Sequence, residues 1–199
     1  AKADGNFNVQ FAYTGEADKV EVELFGKDGK RFGNTLTTSI KKGNQKLVLS
    51  QKFSNPELWS SEFPNLYTAT FTLIRKGKEI HQVAKKIGFR TIEVKERDGV
   101  YINGVKMKFK GVNRHSFYPS SGRTTSKKIS IADVQLMKEM NMNAVRGHYP
   151  PDDHFMAVCD SLGLFVLNEL AGWQNSYDTE TGTKLVKEMV TRDVNHPSV

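Results

Sequence analysis

The sequence predicts two architectures in succession, an all-β sandwich and then a wound α/β layer, and three observations carry that reading. Short runs rich in β-branched and aromatic residues, separated by Gly-containing turns, fill residues 6–92. Beyond Asn103-Gly104, apolar strands alternate with helical stripes. The charge also changes: residues 1–92 carry 15 Lys/Arg against 9 Asp/Glu and residues 93–199 carry 14 against 13, so six of the seven net positive charges fall in the first part.

The first part offers FNVQFAY, KVEVELF, QKLVLSQKF, YTATFTLI and EIHQVAKKIGF as strands, divided by KDGK, KKGN and RKGK. None of these carries a helical stripe, and strands at this spacing suggest an antiparallel sandwich of immunoglobulin-like size, without a disulfide. The lysines Lys41, Lys42, Lys76, Lys78, Lys85 and Lys86 scatter through strands and turns with no aromatic stacking pattern, which argues against nucleic acid as a partner. Charged strand edges that discourage sheet-to-sheet pairing are the simpler use, and His81 is read as a surface or edge side chain.

A hairpin follows, Val100-Tyr101-Ile102 and Val105-Lys106-Met107 around Asn103-Gly104, a pair that tolerates the positive φ of a type I′ turn. MKFKGV is then a strand and ISIADVQLMKEM a helix, with Ser130 as its N-cap and Asp133 three residues on. NAVR is a second strand, and PDDHFMAVCDSLG a helix opened by acidic residues and stopped by Gly163. LFVLNE is a third strand, TGTKLVKEMVTRDV a third helix, and HPSV resembles the start of a fourth strand. Repeated β-α units imply a parallel sheet with right-handed crossovers.

In such sheets ligands sit beyond the carboxyl ends of the strands, where the connecting loops gather side chains. All three strands end in hydrogen-bonding groups: Asn113-Arg114-His115, then Arg146 and His148, then Asn168-Glu169. Other chemistries find less support. Cys159 is the only cysteine, so neither an internal disulfide nor a thiolate zinc site can form, and it reads as helix packing. GRTTSKK lacks the Gly-Lys-Ser/Thr ending of a phosphate-binding loop. His154 and His196 have no ligand-like partners in sequence and read as helix-start and loop residues. No apolar run approaches the ~20 residues needed to cross a bilayer, so no membrane partner is expected. The N-terminus AKADGNFNVQ lacks signal-peptide features, and the compartment stays open.

The strand ends also carry a family resemblance. PELWSSEFPNLYTATFTL (56–73), IGFRTIEV (87–94), FKGVNRHSFYP (109–119), NMNAVRGHYPPD (141–152), CDSLGLFVLNE (159–169) and VTRDVNHPSV (190–199) resemble, in order, segments of glycoside hydrolase family 2. The likeness is strongest to its β-galactosidase-like members and extends over essentially the whole chain. It implies an immunoglobulin-like sandwich over residues 1–92, followed over 93–199 by the opening of a (β/α)₈ TIM barrel that stops before the fourth strand. It implies a retaining exo-β-glycosidase acting on terminal sugars, whose two glutamates stand roughly 5–5.5 Å apart. Both would lie beyond Val199, so the chain itself is expected to be inactive and to need the rest of the barrel, or another chain, over its open edge. His115 and His148 match sugar-contacting histidines, Arg146 the arginine that orients the nucleophile, Glu169 an acidic residue shaping the pocket, and Trp173 a face for a sugar ring. The Arg146-Gly147-His148 spacing is one residue shorter than the family's usual one, and Asn168-Glu169 stands where Asp-Glu is commoner. AGWQNSY replaces the family's magnesium motif, so no metal is expected, and no organic cofactor is implied. The competing reading is a non-catalytic carbohydrate-binding or protein-interaction sandwich module.

Overall fold

The computed structural model describes residues 1–41, 46–172 and 176–199. They form two compact units: Ala1–Leu58 with Asn65–Thr91, and Trp59–Pro64 with Ile92–Val199.

The first unit contains β1 (Asn6–Ala12), β2 (Lys19–Phe25), β3 (Leu36–Ser39), β4 (Lys46–Lys52), β5 (Tyr67–Arg75) and β6 (Lys78–Ile87). They pair antiparallel as a two-stranded β1-β4 sheet and a four-stranded sheet in the order β3-β2-β5-β6. Period-2 alternation determines which side chains face inward: Val20, Val22 and Leu24 of β2 and Leu47 and Leu49 of β4 are buried while their neighbours are not. Phe53 gathers the aromatic part of this core, lying parallel to Phe32 at 5.3 Å and edge-on to Phe7 and Phe89 at 5.9 and 6.0 Å. The expected edge appears in β6, whose residues Lys78, His81, Lys85 and Lys86 are exposed, as sheet edges that avoid further pairing usually are.

The second unit opens with an antiparallel sheet of β7 (Ile92–Lys95), β8 (Gly99–Ile102) and β9 (Val105–Met107). The β8-β9 turn is formed by Asn103 and Gly104, both at positive φ (51° and 81°), as the sequence requires of a tight hairpin. Met107 therefore belongs to the hairpin, and the first strand of the next sheet is shorter than MKFKGV: β10 is Gly111–Arg114. It pairs in parallel with β11 (Ala144–Gly147), which pairs in parallel with β12 (Phe165–Leu167). Helices α1 (Lys127–Glu139) and α2 (Asp153–Leu162) connect these strands, and α3 (Thr179–Asp193) follows them.

The α1 N-cap is Ser126, whose hydroxyl accepts from the Ile129 amide, and this corrects the expectation for Ser130. Ser130 lies inside the helix, fully buried, with its hydroxyl 2.9 Å from Nδ1 of His154. Helix α2 ends as expected at Gly163, in the left-handed conformation. Buried Val134, Met137, Val145, Phe155, Met156, Val158, Cys159, Leu164 and Val166 form the core between the helices and one face of the sheet. Burial holds the Cys159 thiol far above its ordinary pKa. The HPSV segment contains no strand, though a ladder-like bond runs from the Val166 amide to the Ser198 carbonyl at 2.8 Å.

Candidate functional site

The register of the parallel sheet aligns the chemistry. Asn113, Arg146 and Leu167 are neighbours across β10, β11 and β12, and Val112, Val145 and Val166 form the row before them. Because alternate residues on a strand face opposite sides, Asn113 and His115 lie with Arg146, His148 and Glu169 on the face away from the helix-packed core. The single residue between Arg146 and His148 matters here: a two-residue step in extended backbone returns to the same face. Gly147 completes the ladder opposite Arg114, and the His148 amide continues it toward the Arg114 carbonyl at 3.4 Å.

Four of the five residues singled out in the sequence come together. Arg146 donates from Nε to Glu169 Oε2 at 2.6 Å, a second guanidinium nitrogen lies 2.5 Å from that oxygen, and its Nη1 reaches Asn113 Oδ1 at 3.3 Å. The pair is not sealed, with side chains 40% and 35% exposed, so its charges can still meet a ligand. Glu169 Oε1 lies 3.8 Å from Nδ1 of His148, and the His148 and His115 rings stack at 4.5 Å with 12° between their planes. Trp173 lies outside the described residues.

Two strand-end residues point elsewhere, which corrects the idea that each polar terminus contributes whole to one rim. Arg114 turns into the helix side, 7% exposed, where its Nε bonds Asp133 Oδ2 at 2.9 Å and its guanidinium covers the Phe155 ring at 4.1 Å. Asn168 donates to Asp193 Oδ2 at 2.5 Å, and Asp193 is buried at the end of α3. Both sit one residue out of phase with the cluster.

The sequence reading passed over two neighbours of this cluster. The Tyr149 hydroxyl accepts from the Ser116 amide at 3.0 Å, its ring stands 5.7 Å from that of His115, and the Arg123 guanidinium lies 4.7 Å above it. An aromatic directly after His148 was the available signal; Arg123, 26 positions earlier in the chain, gave none. His154 lies at the start of α2 and His196 in the loop after α3, as expected, and each is hydrogen-bonded. His154 bridges Ser130 and the Thr125 carbonyl, while His196 Nδ1 lies 2.6 Å from Asp160 Oδ2. That carboxylate, which also accepts from the Ser198 amide and hydroxyl, raises the His196 pKa above its ordinary value by holding the imidazolium. No group of three His, Cys, Asp or Glu side chains among the described residues is arranged to hold a metal.

The site therefore consists of an ion pair and two stacked imidazoles, half open to solvent, at the carboxyl ends of parallel strands. Hydroxyl-rich ligands suit it, since carboxylate, imidazole and guanidinium together supply acceptors and donors. Comparison with known proteins places the chain as a whole. Residues 1–90 match the family model "Glycosyl hydrolases family 2", and residues 92–199 match "Glycosyl hydrolases family 2, TIM barrel domain". A β-galactosidase of Thermoanaerobacter pseudethanolicus is 33% identical over 186 residues, 91% of this chain and 25% of that protein. A β-galactosidase of Lactococcus lactis is 40% identical over 158 residues, 73% of this chain and 16% of the relative. Among solved structures, a family 2 member from Bacteroides cellulosilyticus superposes with a TM-score of 0.83 at 28% identity, covering 100% of this chain and 29% of the other. A Bifidobacterium dentium β-glucuronidase complexed with coumarin-3-O-glucuronide gives 0.85 at 25% identity, covering 98% and 33%. The chain spans a quarter or less of the length of the two curated relatives. With an immunoglobulin-like domain and the start of a TIM barrel domain both matched in order, the chain belongs to glycosyl hydrolase family 2.

Proposed function

We propose that this chain is a portion of a retaining exo-β-glycosidase of the β-galactosidase type, a sandwich domain to residue 92 and the opening of a catalytic barrel from residue 93. The observation that carries the reading is the Arg146-Glu169 pair beside stacked His115 and His148, in a chain whose relatives include named β-galactosidases. The parallel sheet is then the first part of an eight-stranded barrel of about 250 residues. The remaining strands and helices cover the free edge of β10 and the exposed valines Val186 and Val190 of α3 with Val194 just after it.

In this reading the chain supplies grip rather than chemistry. His115 and His148 hydrogen-bond ring hydroxyls of a terminal sugar, and Glu169, steadied by Arg146, accepts from another. The Arg146 charge also favours the ionised form of a carboxylate brought beside it, as a nucleophile requires. Contacts of this kind accelerate hydrolysis only insofar as they strengthen toward the transition state. In this reading the acid/base and nucleophile glutamates are supplied by other parts of the barrel.

The test is an assay of the complete polypeptide bearing this chain on aryl β-galactosides, β-glucuronides and β-mannosides. The expected result is hydrolysis of the galactoside with retained anomeric configuration, and an Arg146→Ala variant whose kcat/KM falls by on the order of 10² or more. The 199-residue chain alone should turn over none of them. Inversion at the anomeric carbon, an unaffected Arg146→Ala enzyme or turnover by the 199-residue chain itself would overturn the reading.

A further inference from the structure

The hexapeptide Trp59–Pro64 is continuous with the sandwich on both sides: Leu58 pairs with Phe89 in the first unit, and β5 of that unit begins at Tyr67. Its own contacts, however, are made inside the α/β unit. Trp59 is completely buried, its ring edge-on to Phe165 at 5.2 Å and its indole N–H donating to the Asp160 carbonyl at 2.8 Å. Asn103, in the β8-β9 turn, donates to the Trp59 carbonyl at 3.0 Å. Lys138, in the last turn of α1, spends its ammonium on the carbonyls of Ser61 and Gly163 at 2.8 and 2.9 Å. The segment folds on itself through a Trp59-Pro64 bridge and a bond from the Ser60 amide to the Phe63 carbonyl at 2.9 Å.

The receiving surface is shaped for this occupant. Gly163 holds φ +77°, and a Cβ there would lie 2.4 Å from the Ser61 carbonyl oxygen, so the glycine that ends α2 also makes room for the hexapeptide. The socket combines a hairpin turn, the ends of two helices and the first residue of β12. Without the segment, Phe165 would lose an aromatic neighbour and the Asp160 carbonyl a buried donor. Asp160 matters twice, because its carboxylate also holds Ser198 and His196.

We propose that the α/β unit is a receptor for Trp59–Pro64: residues 92–199 reach their folded state only with this segment seated, so the stability of the second unit is set by residues encoded within the first. The occupant is the chain's own hexapeptide. The inference does not depend on the glycosidase reading.

The experiment is hydrogen exchange on the full 199-residue chain, resolved by segment, for the wild type and Trp59→Ala. Exchange across β11, α2 and β12 should quicken by about tenfold or more while β2 and β5 stay within about twofold of wild type, because only the former lie in the cooperative unit that holds the socket. If the alanine variant does not accumulate, two milder changes read the same quantity. Trp59→Phe keeps the ring contact with Phe165 but removes the N–H, and Lys138→Met removes both ammonium bonds; each should quicken exchange in β11, α2 and β12 by roughly threefold. Faster exchange confined to residues 46–75, an equal change in both units, or no change in β11, α2 and β12 would overturn the proposal.

Discussion

Two arginines on adjacent strands, one on each face of the parallel sheet, have opposite surroundings. Arg114 is buried against Asp133 and the Phe155 ring; Arg146 shares its charge with Glu169 where both remain partly open to water. The backbone pleat makes the difference, since neighbouring rows of the register face opposite sides. On the helix side an ionic group must be satisfied internally or it destabilises the fold. On the other side, incomplete satisfaction is what leaves a group available to a ligand. The contrast separates residues buried in the interior of this unit from those left open to solvent at the strand ends.

That separation can be broken most severely at Arg114. Arg114→Ala strips a buried guanidinium and leaves Asp133 without its partner, and urea unfolding should report a loss of about 3 kcal/mol. A loss below about 1 kcal/mol would place Arg114 with ordinary surface pairs and dissolve the distinction.

The next effect is pH-dependent and also belongs to the helix side. The bond to Asp160 raises the folded-state pKa of His196 above its ordinary value of 6.5. Its contribution is therefore fully present below about pH 6.5, where both folded and unfolded states bind the proton, and is lost as pH rises through the raised folded value. The urea midpoint should fall between pH 6 and pH 9, and His196→Gln should flatten that slope. A midpoint that rises over the same interval would reverse the assignment.

The smallest stability change is expected on the open face. Arg146→Ala should cost less than about 1 kcal/mol, because the ion pair it removes is partly solvated. Its effect should instead appear in ligand binding: shifts of the His115 and His148 ring resonances on adding galactose should disappear in the variant. Destabilisation matching that of Arg114→Ala would mean that both faces serve the fold alike.

Much of this organisation was legible in the sequence. Alternating apolar residues gave the sandwich strands, Asn103-Gly104 the hairpin and Gly163 the end of α2, because each signal is local. The polar strand ends marked where His115, Arg146, His148 and Glu169 would meet. Their division into two faces was not legible, since it needs the register between strands, and Arg114 and Asn168 look like their neighbours until Val112, Val145 and Val166 are aligned. Ser126 was missed as the cap because lysines follow it, where acidic residues usually signal a first turn, while buried Ser130 stood at the head of the apolar run. Trp59 was hardest. It sits among sandwich strands in sequence, and its partners Asp160 and Phe165 lie more than a hundred residues away.

Cys159 has a practical consequence. As the only sulfhydryl, sealed in α2 and held protonated by its surroundings, it should be silent toward maleimides and iodoacetamide in the native state. A single cysteine introduced on β6 or in the 115–123 loop would then accept a spin label or fluorophore without background, and Cys159 would become reactive only on opening of the helix layer, a built-in reporter of unfolding.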